Sequence, residues 1–172
     1  MTSTAFENRL TEELSSGGMF AVWCLRKRVY CLKRGKCWDT HLGYGFDMAG
    51  IPEARHDFET VFDWLTRTAD RPIHLGCPKC GRMSRDEGLL LASFAAFQRD
   101  EPESGRILLR CLMPRVACLH AAPAAAKFAD ALQQAKLPID LVDVPATGSA
   151  ERSCGHRDPD EAVAVPAGAT VH

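Results

Sequence analysis

Eight cysteines and six histidines are the side chains of this 172-residue sequence best suited to hold a metal or exchange electrons. The cysteines stand at positions 24, 31, 37, 77, 80, 111, 118 and 154, and one pair has the spacing of a chelate: Cys77-Pro78-Lys79-Cys80-Gly81. Two cysteines three apart around a tight turn can present both sulfurs to one ion. The turn aims backbone N–H groups at the thiolates, and the following glycine tolerates a positive φ. Cys24 and Cys31 share a helix face but lie about 10.5 Å apart along it at a rise of about 1.5 Å per residue. They cannot share an ion and read as core packing, the common fate of a free thiol.

The Cys-Pro-x-Cys-Gly pattern resembles the knuckle of zinc-ribbon and rubredoxin-like sites over five residues. Those sites use two knuckles, and this sequence holds one. A closed tetrahedral zinc site needs four ligands, so zinc, with iron as the alternative metal, requires two more. The leading expectation adds Cys37 and His41 to Cys77 and Cys80. Cys111 and Cys118 with nearby His120 form a second route, and two chains each donating one knuckle across a twofold axis a third. A redox pair of the thioredoxin kind would put its first cysteine at a helix N-terminus. Here Ser84-Arg85-Asp86-Glu87 reads as a capping box, so the next helix starts four residues beyond Cys80.

A second feature is basic. Arg26, Lys27, Arg28, Lys33, Arg34 and Lys36 fall within eleven residues, flanked or interrupted by Trp23, Tyr30 and Trp38. Cations with aromatics nearby suit phosphate neutralisation and stacking on nucleic acid; they also suit a solvated helix end or an acidic protein partner. The formal net charge of −1 excludes a polycationic binder. No Ser/His/acid arrangement suggests a triad, and Gly43-Tyr44-Gly45 lacks the lysine and hydroxyl of a phosphate loop. Met1–Leu14 has neither the basic start nor the apolar stretch of a secretory signal. The nearly uncharged run 88–98 is too short to cross a bilayer. The expectation is a cytoplasmic, bacterial-type chain with reduced thiols and no membrane association.

The elements that must position these residues read as almost all helix. The patterns predict helices over Ala5–Ser15, Met19–Lys36 (with a hairpin as the alternative), Pro52–Thr68, Arg85–Gln98, Arg106–Met113 broken from Arg115–Ala121 by Pro114, and Pro123–Lys136. Thr4–Glu7 fits a first capping box. Cys37–Gly50 and Arg99–Gly105 read as loops, and Pro72–Leu75 as a short extended segment. From Pro145 the composition lacks the large apolar residues needed to offset ordering entropy. The expectation is a mainly α fold: one helical domain of five to six helices over residues 1–144, with a metal-knuckle turn and a disordered tail over 145–172. Such a chain would be a small zinc-binding regulatory or adaptor protein, more in keeping with binding than with catalysis, acting on another protein or on nucleic acid through the basic run, with a homodimer as one arrangement. The alternatives are a metal- or redox-active accessory or assembly factor for an enzyme system, and a metal-free helical interaction domain.

Overall fold

The computed structural model of the chain describes Phe6, residues 9–140 and residues 163–165. Among these residues the fold is mainly helical: α1 (Ser16–Arg34), α2 (Trp38–Met48), α3 (Ala54–Thr68), α4 (Arg85–Gln98), α5 (Pro102–Leu109) and α6 (Arg115–Gln134). Two three-residue strands, β1 (Ile73–Leu75) and β2 (Val163–Val165), pair antiparallel with Ile73 opposite Val165 and Leu75 opposite Val163.

The core is built on aromatic rings that helical spacing aims inward. Phe128 of α6 lies 5.5 Å from Phe58 of α3, 5.1 Å from Phe94 of α4 and 6.3 Å from Phe46 of α2, centroid to centroid. These tilted and edge-on contacts suit the ring quadrupoles. The α4 helix is apolar nearly all round and occupies the middle of the fold, with Leu90, Leu91 and Phe94 at 0% exposure.

Several sequence expectations change, the first two because burial outweighs local propensity. The segment 37–50 is not a loop: most of it forms α2, where Leu42 and Phe46, four residues apart, are both fully buried. One of its glycines, Gly45, sits at a close approach. A Cβ on Gly45 would lie 2.4 Å from the Trp23 ring. Pro123 does not start a helix but sits inside α6, which runs unbroken for 20 residues. An interior proline costs about 3 kcal/mol; the buried inner face, including Ala121, Ala125, Phe128 and Leu132, offsets it. Residues 99–105 are not all loop, since Pro102 opens α5 at the first helical position, where its missing N–H costs nothing.

At the N-terminal end, the expected Ala5–Ser15 helix is not found among the described residues: Thr11–Glu13 makes only a 3-10 turn, and Gly17-Gly18 lies in the first turn of α1. Gly17 is needed because a Cβ there would meet the Leu137 carbonyl oxygen at 2.2 Å. Ser15 closes the same junction. Its N–H donates to the Asp140 carbonyl at 2.9 Å, and its hydroxyl accepts from the Asp140 N–H at 2.8 Å and donates to the Pro138 carbonyl. The Thr4–Glu7 box lies outside the described residues, as does the 144/145 boundary. Of the expected disordered tail, residues 163–165 are described, as strand β2.

Candidate functional site

The Cys77–Cys80 turn sits between β1 and α4 on a mount assembled from three parts of the chain. The Cys80 N–H donates to the Cys77 carbonyl at 3.0 Å, closing the turn with Pro78 and Lys79 at its tip. Beyond it, Arg82 bridges to Leu10; the Thr11 N–H donates to the Gly81 carbonyl at 2.8 Å, and the Met83 N–H to the Arg9 carbonyl at 3.0 Å. The N-terminal segment thus braces the exit of the turn.

The α4 N-terminus supplies the other brace. Ser84 and Glu87 form the capping box the sequence predicts: the Glu87 N–H donates to the Ser84 hydroxyl at 3.1 Å, and the Ser84 N–H to the Glu87 carboxylate at 2.8 Å. Glu87 does more than cap. Its Oε1 accepts from the Gly76 N–H at 2.9 Å, and the carboxylate takes Arg26 of α1 bidentately, Nε to Oε1 at 2.7 Å and Nη2 to Oε2 at 3.0 Å. Arg26 spends its remaining donors on the turn itself, bonding the carbonyls of Cys80 and Arg82 (the latter at 2.9 Å). Both side chains are buried, 4% and 0% exposed. Burial opposes the charge on Arg26, but the hydrogen bond and charge of Glu87 outweigh it and hold the guanidinium above its ordinary pKa. Gly76 makes room for this: a Cβ there would lie 2.9 Å from Arg26 Nη2.

One residue earlier on α4, Asp86 binds Arg71 through two hydrogen bonds of 2.9 and 2.6 Å and accepts from the His74 N–H at 2.8 Å. Burial alone would raise its carboxyl pKa; the Arg71 pair and that N–H prevail and lower it. Two carboxylates in the first turn also suit the positive end of the helix dipole.

On this mount the two sulfurs touch, Cys77 Sγ to Cys80 Sγ at 2.7 Å, and both residues are half-buried. Two thiolates on one tetrahedral zinc, with bonds of about 2.3 Å, would stand about 3.8 Å apart. The pair therefore has to spread by about 1 Å to chelate. Burial and the hydrogen bond with Cys77 push the Cys80 thiol up to about 11. It is a protonated thiol at neutral pH, without the helix-terminus stabilisation of a reactive cysteine.

The remaining residues singled out in the sequence lie elsewhere. Cys37 and His41 are exposed on the first turn of α2. Cys111 is exposed and bonds the Ile107 carbonyl, Cys118 is buried against the Met113 carbonyl, and His120 stacks on Trp64 at 4.7 Å. Among the described residues no three His, Cys, Asp or Glu side chains gather to hold a metal, so Cys77 and Cys80 come together without a third ligand. Of the basic run, Arg26 and Arg28 are interior rather than surface residues; Arg28 pairs with Glu59 of α3 at 2.9 Å. Lys33, Arg34 and Lys36 are exposed and Lys27 half-exposed.

Sequence reasoning missed the Arg26–Glu87 mount, whose partners are 61 residues apart. A signal was present: with Val22, Leu25 and Val29, Arg26 falls on the apolar face of α1, where an arginine needs a buried partner. A shallow depression of about 390 Å³ on α3, lined by Thr60, Asp63, Trp64, Arg67 and Thr68, offers no nucleophile with a base beside it. No described helix is long and apolar enough to cross a membrane. Compared with protein-family models, curated proteins and solved structures, the chain matches none.

Proposed function

We propose that this chain is a small helical regulatory binding protein whose Cys77–Cys80 turn acts as a thiol switch, closed and reopened by thiol–disulfide exchange. The observation that carries the reading is the 2.7 Å contact between two half-buried sulfurs on a turn held from below by buried Arg26 and Glu87. A structural zinc would fasten this turn to its neighbours. The ion pair already does that fastening, which leaves the sulfurs available for chemistry. A thiol pushed up to about 11 is a slow nucleophile, which argues against a turnover catalyst and makes exchange at this pair slow. In the exchange, one thiol attacks a low-molecular-weight disulfide such as oxidised glutathione and releases one glutathione thiol. The second displaces the other, so the protein loses two hydrogens and the glutathione pair gains them.

The expected zinc reading stays as the second, favoured by the closed Cys77–Cys80 turn with both residues only half-buried. It requires the sulfurs to spread and ligands such as Cys37 and His41, or a second chain, to complete the site.

One preparation tests both. The chain is purified without chelator; zinc and iron are counted per chain, and the protein is then equilibrated with glutathione buffers and mapped by mass spectrometry. The switch reading expects no stoichiometric metal and a reversible mass loss of about 2 Da in the peptide holding Cys77 and Cys80. One zinc per chain that disappears in Cys77→Ser, or no disulfide at any glutathione ratio, overturns it.

A further inference from the structure

The four surface cations and a set of exposed apolar side chains occupy one face of the molecule. On α1, Met19, Trp23, Lys27, Tyr30 and Arg34 follow helical spacing and form one stripe about 22 Å long at about 1.5 Å per residue. Its first half is apolar, with Met19 48% and Trp23 38% exposed. Beside it α2 carries Met48, 70% exposed and one turn from Gly45, and Tyr44, 68% exposed and one turn before Met48. The two helices meet where the Trp23 ring lies on the backbone of Gly45, which has no Cβ to obstruct it. The second half is cationic: Lys27, Arg34 and Lys36 surround the Tyr30 ring at 5.5, 5.7 and 5.9 Å from its centroid.

Arginines elsewhere, such as Arg9, Arg71, Arg99 and Arg106, are matched with carboxylates. Among the described residues, no ion pair forms at Lys27, Lys33, Arg34 or Lys36. Lys33 and Arg34 complement the dipole at the α1 C-terminus; Lys27, two turns earlier, does not. In a chain of net charge −1 this is a concentrated positive patch continuous with an apolar one.

We infer that this face docks an acidic amphipathic helix of another protein, its apolar side chains on Met19, Trp23 and Met48 and its carboxylates over Lys27, Arg34 and Lys36. Methionines make adaptable apolar contacts in helix-binding grooves, and Trp23, stacked on Phe20 and edged against Gly45, is a preorganised anchor. Stacked nucleic acid fits less well, because cations already cover Tyr30 and Phe20 already stacks on Trp23, with ring centroids 5.9 Å apart. A lipid surface fits less well because Ala21, Val22, Leu25 and Val29 bury the opposite face of α1 in the core, which leaves only a narrow stripe to insert. The inference rests on the binding-protein part of the proposed function and not on the thiol pair.

The test is a display selection of random helical peptides of about 16 residues, a length set by the stripe, against the full chain. The winners are measured by fluorescence anisotropy beside oligo-dT and phosphatidylserine vesicles. The expected winners combine apolar anchors at one end with Asp and Glu at the other. Their binding weakens with salt and falls about tenfold or more in Lys27→Glu/Arg34→Glu and in Met48→Glu, both surface changes whose folding is checked by circular dichroism. Binding that survives in Cys77→Ser/Cys80→Ser separates this surface from the switch. No enrichment, basic or uncharged winners, winners indifferent to the charge reversal, or preferential binding of oligo-dT or vesicles by the same residues would overturn it.

Discussion

Replacing Arg26 by Met keeps most of the side-chain volume and removes the cation, so it isolates what the buried pair contributes. The substitution leaves the Glu87 side chain at 0% exposure with only the N–H groups of Gly76 and Ser84 as partners, and it strips the Cys80 and Arg82 carbonyls of a donor. Breaking one side of a buried, hydrogen-bonded pair costs about 3–5 kcal/mol. With a urea m-value of about 2 kcal/mol/M, typical of small proteins, the midpoint should fall by about 1.5–2.5 M. Because stabilities of whole domains run to about 5–15 kcal/mol, this is a large share. The assay is equilibrium urea unfolding followed by far-ultraviolet circular dichroism, with Glu87→Leu and the double variant completing a cycle. A coupling energy above about 1 kcal/mol is expected between residues that share hydrogen bonds. A midpoint shift worth less than about 1 kcal/mol, or additive single effects, would mean that water reaches the pair and that the turn is not mounted on it.

Three further outcomes follow from the same geometry. The Asp86 carboxyl has a lowered pKa in the folded protein, so its contribution to stability is present above the unfolded value near pH 4 and is lost as pH falls through the folded one. Urea midpoints should therefore drop below about pH 4, and Asp86→Asn should flatten that drop while lowering stability at neutral pH. In the reduced chain, Cys77→Ala removes a hydrogen bond and a neighbouring charge that raise the Cys80 pKa, so that pKa should fall below about 11 although burial still opposes the thiolate; the pH dependence of Cys80 alkylation, mapped by mass spectrometry, measures it, and an unchanged or higher value would contradict the contact. Gly17→Ala sets a Cβ against the backbone oxygen of Leu137 at 2.2 Å, where no rotamer change helps. It should cost about 3 kcal/mol, the upper end for overpacking, and an unchanged thermal midpoint would refute the close approach.

What could be read locally in the sequence was read well. Helix α4 matches its predicted span because Ser84 and Glu87 are three residues apart and signal their own cap. The turn at Cys77–Cys80 was equally legible, since a Pro-x-Cys-Gly run punctuates the chain within five residues. What depends on distant contacts was not. Helix α2 reads as loop from its glycines, and only the Trp23 ring lying on Gly45 explains why glycine belongs in that helix. Arg26 and Arg28 read as surface charge because their partners, Glu87 and Glu59, sit 61 and 31 residues away. Strand β2 is three small apolar residues, Val163-Ala164-Val165, that acquire meaning only beside β1.

The junction of Ser15 with Pro138 and Asp140 joins backbone made at the start of α1 to backbone made 123 and 125 residues later. Synthesis therefore cannot complete the first turn of α1 until the chain beyond α6 has emerged. Until then Gly17-Gly18 is a pair of poor helix formers without its tertiary support. The same closeness brings the two ends of the helical body side by side.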